Sequence, residues 1–254
     1  MIRTGFVSIT FRQLAPREIV ELVARAGLEG IEWGGDVHVP HGEVDLAETV
    51  GEMTREAALA VAAYGSYYRA GEGMEAFEPV LETAVALGAP LIRVWAGHRA
   101  SADADDAFRA AVVEDSRRIA DLAAAASIRI AYEYHGRSLT DTTDSAVALL
   151  RAVDHENVGC YWQPPRGLTT PECLDAFDAD APWLSNVHVF SWHPETGERL
   201  ALAEGEARWA QYLQRIAAVD GERYALLEFV RDNDPENFPA DAETLKEWLR
   251  TTRR

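Results

Sequence analysis

An α/β fold, a single (β/α)8 barrel spanning residues 1–254, is what three features of this sequence predict. Strand-like apolar runs alternate with helical stretches along the whole chain, eight times over. Helical returns between strands imply parallel pairing, because a crossover from one end of a sheet to the other takes a dozen or more residues. Eight such units in 254 residues suit a closed barrel better than an open doubly wound sheet. The nucleotide loops G-x-G-x-x-G and G-x-x-x-x-G-K-[ST], which would favour the open sheet, do not occur. No linker or low-complexity tract divides the chain, so one domain is expected.

The elements follow in order. Phe6–Thr10 reads as the first strand and leads to a helix opened by Pro16, with Ile19, Val20, Leu22, Val23 and Ala26 on one face and Gly27 as terminator. Gly30–Trp33 and Ala60–Gly65 read as strands two and three, separated by an Ala-rich helix. A helix over Pro79–Leu87, ended by Gly88, precedes strand four, Leu91–Trp95. A long helix from Ala104 to Ala126 leads to strand five, Ile128–Glu133. Asp141-Thr142 suits a helix cap before strand six, Val158–Gln163. Thr170-Pro171-Glu172 suggests an N-cap, a proline at the first helical position and an acid in the first turn. Leu184–His188 and Tyr224–Glu228 are the last strands, followed by helices over Glu206–Val219 and Ala240–Leu249 respectively.

Composition narrows the function. Residues of apolar type make up 48% of the chain, enough for a sizeable core. A net charge of -18 disfavours nucleic acid and anionic membranes as partners, since phosphate binding needs clustered Lys and Arg. Two cysteines, Cys160 and Cys173, form no metal pattern and suit a reducing compartment. No secretory signal or membrane-length apolar run is visible, and the cytoplasm is the expected location.

In an α/β barrel the active site lies at the carboxyl ends of the strands. Glu133, Gln163, His188 and Glu228 each end an apolar run, and parallel pairing of those runs would gather them at one mouth. Two carboxylates, an amide and an imidazole can hold a divalent cation and move a proton. An unpaired Glu228 beside Ala225-Leu-Leu and Phe229-Val would be costly, and a metal or cation would explain it. His188 alone would read as a hydrogen-bonded core residue; its three companions make it a candidate ligand. Trp33, Trp162 and Trp192 are candidate contacts for a sugar face among the strand-end aromatics. Glu32 and Arg93, on strands two and four, are expected to pair with each other. His38, His41, His98 and His193 fall in loops at the mouth.

Val158-Gly-Cys-Tyr-Trp-Gln-Pro-Pro165, Asn186-Val-His-Val189, Leu202-Ala-Glu-Gly-Glu-Ala-Arg-Trp209 and Leu227-Glu-Phe-Val230 resemble the xylose isomerase-like superfamily of TIM barrels, within it the sugar phosphate isomerase/epimerase group. The resemblance spans essentially the whole chain. It implies one divalent ion (manganese, magnesium, cobalt or zinc) held at Glu133, Gln163, His188 and Glu228. It also implies proton transfer by Glu133 and Glu228 through a metal-stabilised enediolate of a small sugar derivative.

Gln163 departs from the family, which has Asp there; its neutral amide should lower metal affinity and sharpen the ion's pull on a substrate oxygen. Arg166 stands where many members have a His, and suggests an anionic group on the substrate. The family arginine shortly after the strand-seven His is not evident in Phe190-Ser-Trp-His-Pro-Glu195. The leading expectation is therefore a metal-dependent isomerase or epimerase of a small carbohydrate. The alternatives are a lyase of the same fold, dehydrating an inosose-like or dehydroshikimate-like substrate, and a non-catalytic sugar-binding barrel. An endonuclease of the related DNA-repair group would need more His ligands and a basic surface. A homodimer is compatible with the acidic surface.

Overall fold

Eight parallel strands pair in chain order, and the eighth closes onto the first. They are β1 (Ile2–Val7), β2 (Gly30–Gly34), β3 (Ala60–Arg69), β4 (Leu91–Trp95), β5 (Arg129–Tyr132), β6 (Val158–Trp162), β7 (Leu184–Val189) and β8 (Arg223–Leu227). Around them lie α1 (Pro16–Ala26), α2 (Val44–Glu56), α3 (Met74–Leu87), α4 (Asp106–Ala125), α5 (Thr143–Val153), α6 (Thr170–Asp180), α7 (Glu206–Ala217) and α8 (Phe238–Thr252). This computed structural model describes residues 1–193 and 195–252. Among the described residues no helix is long and apolar enough to cross a membrane.

Each strand alternates between two environments. On β6, Val158, Cys160 and Trp162 join the core between sheet and helices, whereas Tyr161 joins the cluster inside the barrel. The barrel interior is partly polar. Arg93 Nε donates to Glu32 Oε1 at 2.7 Å, Tyr161 Oη to Glu32 Oε2 at 2.8 Å, and Asn186 Nδ2 to Tyr161 Oη at 3.1 Å. Gly65 makes room for this network, since a Cβ there would lie 2.6 Å from Arg93 Nη2 and 3.0 Å from Glu32 Oε1.

Several expected boundaries move. The first strand is Ile2–Val7, not Phe6–Thr10; Ser8–Phe11 coils into a buried 3-10 turn. Both stretches belong to one apolar run, so hydrophobicity could not mark where pairing stops. β3 runs on to Arg69, past the expected end at Gly65, with an irregularity around Tyr67 at φ +60°. α3 begins at Met74, ahead of Pro79. The cap of α6 is Thr169, one residue earlier than expected, and its N–H and hydroxyl both donate to Glu172. Gly27 does end α1 in the left-handed conformation, at φ +69°. Thr142 caps α5, accepting from the Ser145 N–H.

Candidate active site

Glu133, Gln163 and Glu228 follow immediately after β5, β6 and β8, and His188 is the penultimate residue of β7. Parallel register brings all four to one end of the barrel. Ligand atoms of Glu133, His188 and Glu228 lie within 4.8 Å of one another, and all three residues are buried. Nδ1 of His188 stands 3.4 Å from Glu133 Oε1, 3.4 Å from Glu228 Oε2 and 3.2 Å from Gln163 Oε1. Gln163 is steadied by donating from Nε2 to the Tyr134 carbonyl at 3.2 Å, which turns its amide oxygen toward the cluster.

The two glutamates differ. Oε2 of Glu133 accepts from Arg93 Nη1 and, at 2.7 Å, from Trp95 Nε1. Burial opposes the charge on Glu133, yet Arg93, His188 and the Trp95 N–H together outweigh it and hold the carboxyl down at about 2. No donor other than His188 approaches Glu228 among the described residues. Burial, with repulsion from Glu133, pushes its carboxyl up to about 7. Burial also resists a charge on His188, but Glu228 and Glu32 prevail and raise it to about 10.

These shifts describe a cluster short of positive charge. Three buried carboxylates, Glu32, Glu133 and Glu228, share one guanidinium, and this deficit of positive charge raises the proton affinity of His188 and Glu228. A divalent cation would supply that charge and release the protons. Nε2 of His188 is buried without a hydrogen-bond partner, 3.6 Å from Glu32 Oε2. Glu32 is thus placed to orient the ring so that Nδ1 faces the cluster. The donor set fits a divalent ion.

Above the cluster is a cavity of about 750 Å³. Arg12, Tyr67, Arg93, Trp95, Arg166 and Trp192 are among its walls. Arg166 and Trp192 therefore sit at the mouth as expected, with the Arg166 guanidinium 3.9 Å from the Trp192 ring. Trp33 and Trp162 do not. Trp33 is fully buried and donates from Nε1 to Thr54 Oγ1 on α2 at 3.1 Å. Trp162 packs edge-on against Phe177 of α6 and Tyr212 of α7. Both residues are immediate neighbours of inward-facing ones, Glu32 and Gln163, and strand alternation sends them to the helix layer.

Arg93 pairs with Glu32 as expected, but it also holds Glu133 and lines the cavity. His38 is buried, between Ser8 Oγ at 3.0 Å and the Leu14 carbonyl at 3.2 Å. Arg12 was not anticipated: the turn after β1 holds it by Asp36, and it donates to Tyr67 Oη at 2.9 Å.

A family profile described as xylose isomerase-like TIM barrel matches residues 20–252. The chain belongs to that family. A 3-dehydroshikimate dehydratase of Bacillus anthracis is 25% identical over 278 residues, covering 96% of each chain. Among solved structures, the probable 3-DHS dehydratase involved in petrobactin synthesis in Bacillus anthracis superposes with a TM-score of 0.80. That pair is 22% identical, covering 96% of this chain and 98% of the other. A xylose isomerase-like barrel of Mycobacterium smegmatis, solved in complex with magnesium, gives a TM-score of 0.70 at 17% identity and covers 98% and 97% of the two chains. Members of this family thus include enzymes and a magnesium-bound barrel.

Proposed function

We propose that this family member is a divalent-metal-dependent lyase that removes water from a small cyclic β-hydroxy ketone of the 3-dehydroshikimate class. The carrying observation is the inequality of the two carboxylates. Epimerisation by two opposed acid–base groups asks each carboxylate to take and return a proton. Glu133 is badly placed for that, with Oε2 committed to Arg93 and Trp95 and Oε1 turned to His188. Glu228 faces the cavity, and among the described residues it has no competing donor except His188. One proton-transfer group suffices for elimination.

A divalent ion held by Glu133, His188, Glu228 and the Gln163 amide would polarise the substrate carbonyl and acidify the neighbouring C–H. Glu228 takes that proton, the bond to the β hydroxyl breaks, and the proton leaves with the hydroxyl as water. Arg93 and Trp95 keep Glu133 anionic and fixed. Arg166 supplies a positive charge for an acidic substituent of the ring. The resemblance to a 3-dehydroshikimate dehydratase along almost the full length supports this reading over the isomerase or epimerase expectation. The unpaired, buried Cys160 and Cys173 support a cytoplasmic setting.

The test is direct. Metal-replete protein is offered 3-dehydroshikimate, an inosose and a set of ketoses. Water loss from 3-dehydroshikimate leaves, after enolisation, an aromatic diol acid with its own ultraviolet band. Appearance of that band is the expected result. Solvent deuterium entering a ketose, with neither cyclic substrate dehydrated, would return the function to epimerisation.

A further inference from the structure

Four buried phenols give their proton to an oxygen of the protein. Tyr64 donates to the Val39 carbonyl at 2.8 Å, Tyr68 to Asp115 Oδ2 at 2.6 Å, Tyr134 to Asp180 Oδ2 at 2.5 Å and Tyr161 to Glu32 Oε2 at 2.8 Å. Tyr67 differs. Its Oη accepts from Arg12 Nη2 at 2.9 Å, and among the described residues its own proton meets no acceptor. Arg12 cannot take that proton, because a guanidinium carries donors only. The accepted bond fixes the oxygen and leaves the O–H to the cavity that Tyr67 lines.

The backbone is built to put it there. Between Gly65 and Arg69 the register of β3 against β4 shifts, and Tyr67 holds φ +60°, a costly conformation for an aromatic residue. Ser66 braces this irregularity: its Oγ donates to the Arg93 carbonyl at 2.8 Å and accepts from the Tyr68 N–H at 3.2 Å. Strain that the surroundings hold in this way gathers at functional sites. The Tyr67 ring stands edge-on to Trp95 at 5.0 Å, with the Arg93 guanidinium 5.4 Å away. Arg12 is anchored in turn on Asp36 Oδ2, through Nε at 3.0 Å and Nη2 at 2.8 Å. Burial pushes the Tyr67 hydroxyl up to about 12 against the pull of Arg93 and Arg12, so it remains a donor at neutral pH.

We propose that the Tyr67 O–H donates to the oxygen of the substrate hydroxyl β to the carbonyl, the one that departs. The inference rests on the lyase reading for that departure. As the C–O bond breaks and its electron pair stays on oxygen, the growing charge meets a donor held in place for it. Glu228 carries the proton from the C–H bond to this oxygen, water leaves, and Tyr67 keeps its own proton throughout. The contact makes the hydroxyl at that carbon a condition of tight binding as well as of reaction.

Calorimetry on metal-replete protein tests the contact apart from turnover. The probes are shikimate, whose reduced carbonyl blocks elimination, and its analogue without the hydroxyl β to that carbon. Wild type should bind shikimate about tenfold more tightly than the analogue, about 1.4 kcal/mol. Tyr67→Phe, which keeps the ring, should bind the two alike, whereas Tyr64→Phe should retain the preference. With 3-dehydroshikimate, Tyr67→Phe should lose about a hundredfold in kcat, while solvent deuterium still enters beside the carbonyl. A preference for shikimate that survives in Tyr67→Phe overturns the proposal. So does equal binding of the probes by wild type, no shikimate binding, or dehydration by Tyr67→Phe at the wild-type rate. A Tyr67-dependent preference in a protein that dehydrates neither cyclic substrate would remove the lyase reading and leave the contact standing.

Discussion

Glu133 and Glu228 occupy equivalent positions, each the first residue beyond a barrel strand, in unlike surroundings. Glu133 rests on a built support: Arg93, itself braced by Glu32, and the Trp95 indole. Among the described residues Glu228 meets only His188 and the cavity. In the proposed reaction, chemically identical side chains are thereby divided into one held as a fixed anion and one left free to exchange a proton. The lesson is that the neighbouring strand, not the residue, assigns the role.

Substitution of both residues probes that difference first. Glu133→Gln and Glu228→Gln should each lower kcat by about a thousandfold or more. Near-normal turnover in either would remove it from the chemistry. The difference between them should appear in stability measured with chelator present. Glu133→Gln should cost about 1–3 kcal/mol by weakening buried hydrogen bonds to Arg93 and Trp95. Glu228→Gln should cost less, because among the described residues only His188 faces its carboxylate. Equal losses in urea unfolding would erase the comparison.

Arg93→Met strikes the support itself, leaving Glu32 and Glu133 buried without their cation. A loss of about 3–5 kcal/mol is expected, read as a lower urea midpoint with chelator present. A midpoint within error of wild type would mean that Arg93 does not brace the strand-five side.

Gln163→Asp adds a carboxylate to the donor set and should tighten divalent metal binding roughly tenfold, since ligand charge tunes affinity. An unchanged Kd would show that the amide does not touch the ion.

Asp180 gives the smallest effect. It accepts a hydrogen bond from Tyr134 at 2.5 Å, behind Glu133, and burial raises its pKa to about 6 from an ordinary 3.8. The folded state then holds the proton more tightly than the unfolded chain. That contribution is full below pH 3.8 and is lost as pH rises through about 6. Asp180→Asn should therefore match wild type near pH 4 and gain about 1–2 kcal/mol by pH 8. Parallel stability profiles for the two proteins would contradict this.

Much of the site was legible because a barrel converts linear order into one ring of strand ends. Glu133, Gln163, His188 and Glu228 could be singled out as polar residues closing apolar runs, and the fold brings them together. Trp33 and Trp162 show the limit of that reasoning. Position near a strand end does not reveal which face a side chain takes, and one step along a strand exchanges the cavity for the helix layer. Arg12 shows another limit. Nothing in its local sequence marks it, and only the fold sets it on the cavity wall beside Asp36 and Tyr67.

The sequence by itself determined the alternation of elements, hence the parallel closed barrel and the end at which chemistry gathers. Those follow from local periodicity and short connections, which neighbouring residues specify. Tertiary structure alone decided that Arg93 binds both Glu32 and Glu133, that among the described residues His188 alone approaches the Glu228 carboxylate, and that two tryptophans face away from the cavity. Such choices depend on register between strands far apart in the chain and on which charges share a buried volume. Neither quantity is a property of any single segment.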